Sequence, residues 1–297
     1  MAKLSRRAML AAGGFAAITT AAHAAGVFGN PDHPPEGDLP SLREQGVSWS
    51  LHGDVQSKQG DLSGALKSYR DSLAIRQKLA EQDPSNADWQ RDLSVSYNKV
   101  GDLQSKQGDL AGALKSYRDS LAIFEELAKL GPGNADWQRD LSVSYNKVGD
   151  LQSKQGDLAA ALKSYRDSLA IRQKLAKQNP GNADWQRDLS VSYNKVGDLQ
   201  SAQGDLAGAL KSYRDGLAIS EKLAKQGPGN AVWQGDLAFS YWRTGTTLAR
   251  LDPKSKKDAR TMVEKGRDIL RELKSRTELT PQQQQRLDSI EADLQKW

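Results

Sequence analysis

The chain has 297 residues, 42 Lys/Arg against 37 Asp/Glu, and no cysteine, so disulfides, thiolate metal sites and cysteine nucleophiles are excluded. Only 37% of it is hydrophobic and its mean hydropathy is −0.68, which is too polar for one deep globular core of this size. Of the formal net charge of +5, Lys3, Arg6 and Arg7 supply three, and the +2 left over is no electrostatic footprint for nucleic acid.

The N-terminus reads as an export signal. Lys3, Arg6 and Arg7 form a positive region with no acid before Asp32, and the run from Ala8 to Ala24 is mostly Ala, Gly and Thr. Ala22-His23-Ala24 fits a small-x-small cleavage pattern, which places cleavage after Ala24. Ser5-Arg6-Arg7-Ala8-Met9-Leu10 resembles the twin-arginine signal, with Met9 and Ala11 in place of the usual Phe and Lys. That resemblance implies a bacterial protein exported to the periplasm. The alternative is an inner-membrane anchor through an uncleaved N-terminus, but Ala8–Ala24 is short and weakly apolar for a span of about 20 residues. Residues 25–43 hold several Pro and few apolar side chains and read as a flexible leader.

A repeat array follows. WQRDLSVSYNKVGDLQSKQG occupies Trp89–Gly108 and recurs unchanged at Trp137–Gly156. A third copy, Trp185–Gly204, differs only at Ala202, so the period is 48 residues. A second run, GDLxxALKSYRDxLA, starts at Gly60, Gly108, Gly156 and Gly204. A fixed period of this length marks stacked units rather than one closed globule. The array covers 44–252, with repeats at about 44–84, 85–132, 133–180 and 181–228 and a fifth starting at 229.

Each repeat reads as two helices. In the third, Asn134 is placed to cap a helix and Asp136 to meet its dipole. Trp137, Leu141, Tyr145, Val148 and Leu151 then trace one helical stripe. Gly156 ends that helix and Asp157 caps the next, which carries Leu158, Ala161, Leu162, Tyr165, Leu169 and Leu175. Asn179-Pro180-Gly181 stops it. No stretch shows the alternation of a strand.

The pattern Tyr145-x-x-Val148-Gly149, then Gly156-Asp157, Ala161 and Tyr165, resembles the tetratricopeptide repeat (TPR). Gly149 and Ala161 fall where that family's two helices approach closely. The resemblance implies an all-α fold, an α-solenoid of stacked antiparallel helix pairs forming a TPR-like superhelix. It also implies a groove, lined by the first helix of each repeat, that binds proteins or peptides. The family's repeat is about 34 residues. The longer period here matches about two extra turns on each helix.

The fifth repeat decays. Trp233, Leu237, Tyr241 and Gly245 keep register, but Leu251-Asp252-Pro253 replaces the turn and a basic stretch, Lys254–Lys274, replaces the second helix. Thr280-Pro281 starts a last helix with Leu287, Ile290 and Leu294 on one side. Residues 253–297 therefore read as a basic helix followed by a C-terminal capping helix.

Chemistry is harder to find. Gly108–Ser116 has Gly, Lys and Ser, but Ala113 and Leu114 separate Gly112 from Lys115, so it is no phosphate loop. His23, His33 and His52 have no metal-site spacing, and no cofactor or metal is expected. The carboxylates recur identically, leaving no place for a unique acid–base pair, so no catalytic residue is assigned and the chain does not read as an enzyme. The candidate partner-binding residues are a polar stripe on the first helices: Asn98, Asp102 and Lys106; Asn146, Asp150 and Lys154; Asn194 and Asp198. Residues four apart share a helix face, so each triplet lines up. Trp242 takes the Asn position in the fifth repeat and is expected to stand exposed in the groove. The same triplets also read as helix-stabilising Asp–Lys pairs. The function that follows is an exported scaffold binding a protein or peptide. The alternative is a structural spacer or self-assembling element of the envelope.

Overall fold

The computed structural model describes residues 39–297. The export signal, with Arg6, Arg7 and the cleavage position after Ala24, lies outside the described residues, as does the leader as far as residue 38. Among the described residues there are eleven α-helices and no strand. In order they are α1 (Leu39–Gln59), α2 (Leu62–Gln82), α3 (Ala87–Lys106), α4 (Leu110–Leu130), α5 (Ala135–Lys154) and α6 (Leu158–Gln178). Then come α7 (Ala183–Ala202), α8 (Leu206–Gln226), α9 (Ala231–Leu251), α10 (Lys256–Arg276) and α11 (Pro281–Gln295). The chain divides into two blocks, Met1–Lys129 and Leu130–Trp297, with the break at the end of α4.

Within each block, consecutive helices pair antiparallel and the pairs stack. The first block holds α1/α2 and α3/α4. The second holds α5/α6, α7/α8 and α9/α10, closed by α11. The turn inside four of the pairs is the same. Gly60, Gly108, Gly156 and Gly204 sit at φ of 84–86°, a left-handed backbone that a Cβ would strain. The Asp that follows caps the next helix: Asp61, Asp109, Asp157 and Asp205 accept from the backbone N–H three residues on, at 2.8–3.0 Å. Asn86, Asn134, Asn182 and Asn230 cap the first helices by accepting from the N–H of Trp89, Trp137, Trp185 and Trp233, each at 3.1 Å.

Two boundaries differ from the sequence reading. Helix α1 begins at Leu39 rather than near Glu44. Pro40 is tolerated because the first turn of a helix leaves its N–H groups without an intrahelical acceptor anyway. Helix α10 begins at Lys256 rather than Lys254, because Pro253–Ser255 forms a 3₁₀ turn held by the Asp252 carboxylate.

The core is thin and built from small residues. Ala65, Ala113, Ala161 and Ala209 are fully buried, and so are Ser94, Ser120, Ser142 and Ser168. Burying a hydroxyl costs free energy unless it is hydrogen-bonded, and these are. Ser72 donates to the Gly46 carbonyl at 2.7 Å, Ser168 to the Ser142 carbonyl at 2.8 Å, and Ser190 to the Gly216 carbonyl at 3.0 Å. Such bonds bring paired helices into close contact. At the C-terminal end the packing becomes conventional, with Ala238, Val263, Leu270, Leu287 and Ile290 in one cluster. Thr280 and Gln283 form a reciprocal capping box that starts α11.

One contact sets the spacing inside each pair. A Cβ on Gly149 would lie 2.7 Å from Cε1 of Tyr165, and Gly53, Gly101 and Gly197 face Tyr69, Tyr117 and Tyr213 in the same way. Helix propensity alone predicts a gain of up to ~1 kcal/mol for Gly→Ala. Gly149→Ala is instead expected to destabilise by roughly 1–3 kcal/mol through overpacking. The urea midpoint measured by far-UV circular dichroism checks it, and an unchanged or higher midpoint would refute the packing argument.

Candidate partner-binding face

The polar stripe divides into three levels. At the Asn level the side chains are packed away: Asn146 and Asn194 are only 7% and 6% exposed. Asn194 donates to Ser240 Oγ on α9 at 3.2 Å, tying neighbouring first helices together. Asn146 fits its surroundings with the amide nitrogen 3.1 Å from Ser168 Oγ and the oxygen 3.0 Å from Arg172 Nη2. Asn98 is half-buried. At the Lys level, Lys106 and Lys154 are exposed near the hairpin turn.

Between them lies the Asp level. Asp54, Asp102, Asp150 and Asp198 are half-buried, and each accepts the hydroxyl of the tyrosine that packs on the glycine of its own pair. The Tyr69–Asp54 and Tyr117–Asp102 bonds are 2.7 Å long. A cation from the next first helix completes the arrangement. Lys99 Nζ reaches both Asp54 oxygens at 2.7 and 2.8 Å, and Lys195 pairs with Asp150. Arg243 meets Asp198 at 2.6 Å and accompanies it by donating to the Tyr213 hydroxyl at 2.8 Å. The cations also lie over the tyrosine rings, at 5.3, 5.0 and 5.2 Å from their centres. Asp54, Asp150 and Asp198 thus each pair with a cation 45 residues ahead, across the repeat boundary.

The electrostatics follow from that geometry. Burial pushes the Tyr69, Tyr165 and Tyr213 phenols well above their ordinary range, and the adjoining carboxylates push the same way. Burial tends to raise the Asp54 carboxyl, but hydrogen bonds from Lys99 and Tyr69 outweigh it and hold the group below its usual value. A second set of inter-repeat pairs runs beside the first: Arg139 to Asp188 at 2.8 Å and Arg187 to Asp236 at 2.6 Å.

The sequence reading missed Lys99, Lys195 and Arg243 because it looked four residues along one helix. The informative spacing crosses repeats. It also missed Arg76 and Arg172, which are buried in their pairs at 9% and 5% exposure. Arg172 donates to Ser142 Oγ, the Asp188 carbonyl and Ser192 Oγ at 2.8–3.1 Å, and burial lowers its pKa. The same repeat position holds Phe124 and Ser220 elsewhere, so the near-identical repeats differ in their interiors as well.

Trp242 is not exposed as expected. It is half-buried against the C-terminal cluster, and its Nε1 donates to Asp293 of α11 at 2.9 Å. The physical reason is that α11 covers this part of α9. Beside it, Asn194, Asp198, Phe239, Trp242, Gln285 and Ser289 help to line a cavity of about 420 Å³ between α7, α9 and α11. No group of His, Asp or Glu among the described residues is arranged to hold a metal ion. No described helix is long and apolar enough to cross a membrane.

Residues 141–180 match the tetratricopeptide repeat family. No curated protein sequence matches the chain. Among solved structures the fold is similar to BtubC (BKLC) from P. vanneervenii, with 20% identity, a TM-score of 0.62, and coverage of 82% of this chain and 86% of that one. It is also similar to the apo form of RapI, with 12% identity, a TM-score of 0.59, and coverage of 78% and 72%. A third similar structure is a Podosopora anserina putative kinesin light chain with nearly identical TPR-like repeats. That likeness has 15% identity, a TM-score of 0.52, and coverage of 77% and 96%. The fold is all-α and TPR-like.

A phenol whose folded pKa is raised stabilises the fold below its unfolded pKa of about 10, and that contribution is lost as pH rises further. Stability is therefore expected to decline above pH ~10. Tyr213→Phe should weaken that decline while lowering stability at pH 8 by roughly 1 kcal/mol. Thermal melts from pH 8 to 11 check it, and an identical alkaline decline in the variant would contradict the assignment.

Proposed function

We propose that this chain is an exported, non-catalytic TPR-type scaffold that holds a protein or peptide partner against the face formed by its first helices. The single observation that carries the reading is the cavity of about 420 Å³ between α7, α9 and α11, where side chains of consecutive repeats converge. It is of ordinary ligand-pocket size and sets the apolar side chains of Val191, Phe239 and Trp242 among polar and charged groups. The TPR match over residues 141–180 and the TPR-like folds of the similar structures support the same reading. Export and periplasmic residence rest on Lys3, the Arg6-Arg7 pair and the small-residue run up to Ala24.

The Asp residues of the stripe hold repeats together, so removing them would test folding rather than binding. Gln285→Trp is the better variant, since Gln285 is exposed and lines the cavity. Partners crosslinked to the full chain in intact cells are expected to fall at least tenfold with this variant at unchanged melting temperature. An identical partner list at equal yield would remove the cavity from the mechanism.

Arg6→Lys with Arg7→Lys is expected to leave the chain inside the cell with its signal attached. Fractionation with a C-terminal tag reads both compartment and size, and unchanged export would contradict the twin-arginine route.

A further inference from the structure

The last repeat breaks the stripe. Where the third repeat carries Asn146, Asp150 and Lys154, α9 carries Trp242, Thr246 and Arg250 at the same positions. The carboxylate has been replaced by a hydroxyl. Trp242, Thr246 and Arg250 line a second cavity, of about 560 Å³, together with Arg243, Lys256, Asp293, Lys296 and Trp297.

The charges there do not balance. Arg243 is already paired with Asp198 at 2.6 Å, and Lys296 with Asp293 at 3.1 Å. Arg250 is exposed and, among the described residues, donates to the neutral Ser201 Oγ, at 3.0 Å, and pairs with no carboxylate. Lys256 is exposed and has no carboxylate within ion-pair distance among the described residues. It stands in the first turn of α10, where the helix dipole disfavours a cation and favours an anion beside it. The Asp293 carboxylate on the wall is engaged by Lys296 and by the indole N–H of Trp242. Trp242 and Trp297 are half-buried and supply apolar walls.

We infer that this cavity takes an acidic peptide segment, with carboxylates on Arg250 and Lys256 and an apolar side chain against Trp242 and Trp297. The inference rests on the peptide-binding reading above and names the chemistry of the partner. Two unpaired cations at one spot, bounded by Asp293, suit a short acidic segment. A nucleic-acid strand asks for a continuous cationic track along its phosphates, which this wall lacks.

The test uses the full chain and two fluorescein-labelled octapeptides, one of alternating Glu and Leu, the other of alternating Gln and Leu. Fluorescence polarisation at low salt should show the Glu peptide binding about tenfold tighter than the Gln peptide. Lys256→Glu, an exposed change that spares the fold, should remove about tenfold of that affinity, and Arg250→Glu a similar amount. Lys225→Glu, on α8 and outside this cavity, should leave it unchanged. Equal binding of the two peptides, indifference to Lys256→Glu, or equally tight binding of an oligothymidine of the same charge would each overturn the proposal. If the peptides fail while Gln285→Trp still abolishes crosslinking of a partner, the acidic-peptide inference falls and the scaffold reading stands.

Discussion

A tyrosine ring laid on a glycine is the contact on which the other interactions of each repeat depend. Because Gly149 has no Cβ, the Tyr165 ring can press against the backbone of α5. That position carries the phenol to Asp150 on the same helix. The carboxylate, fixed in orientation, then receives Lys195 from the next first helix. One side chain therefore fixes the distance within a pair and aims the polar contact between pairs. The same chain of contacts joins Gly53, Tyr69, Asp54 and Lys99. An exposed ion pair is worth little alone. Here the tyrosine hydroxyl holds the carboxylate in place, so less side-chain entropy is lost when the cation arrives.

That arrangement explains why so polar a chain can fold. Its interior relies on Ala, Gly and Ser, which bury little apolar area each but allow close helix approach. The buried hydroxyls are satisfied by facing carbonyls, as with Ser72 and Gly46. Arg172 is surrounded by Ser142, Ser192 and a carbonyl, whereas Phe124 at the same repeat position is 2% exposed. A buried guanidinium met only by neutral acceptors is costly, and removing its acceptors one at a time costs more. The series Arg, Phe, Arg and Ser at this position thus gives neighbouring pairs different interiors, which discourages one pair from taking its neighbour's place.

Much of the fold was legible because its signals are local. The turn glycines, the Asp and Asn caps and the Pro-Gly breaks act within a few residues, and a strict period multiplies each of them. The start of α1 was misplaced because Pro40 reads as a breaker although the first helical turn accepts it. The candidate face was less legible for a physical reason. Four-residue spacing reports what shares a helix face, but the Asp54–Lys99 contact joins two helices 45 residues apart. Asn194 likewise meets Ser240 on the neighbouring first helix and Asn146 meets Ser168 and Arg172 on the second helix of its pair, contacts that no single-helix pattern contains. Trp242 was assigned by its phase alone. What phase cannot supply is the path of α11, which covers the indole and takes its N–H.

Residues that repeat without change are held by the needs of stacking, since every copy must present the same surface to its neighbour. Specificity toward a partner is freer to develop where that requirement lapses. It lapses at the last first helix, whose outer neighbour is the short α11 rather than another full repeat. There Asp gives way to Thr246, Asn to Trp242, and the exposed cations Arg250 and Lys256 are left without carboxylates among the described residues. Trp242 packs on the C-terminal cluster, but the exposed Arg250 and Lys256 gain no such contact, and a local departure from a consistent rule is where function is expected to reside.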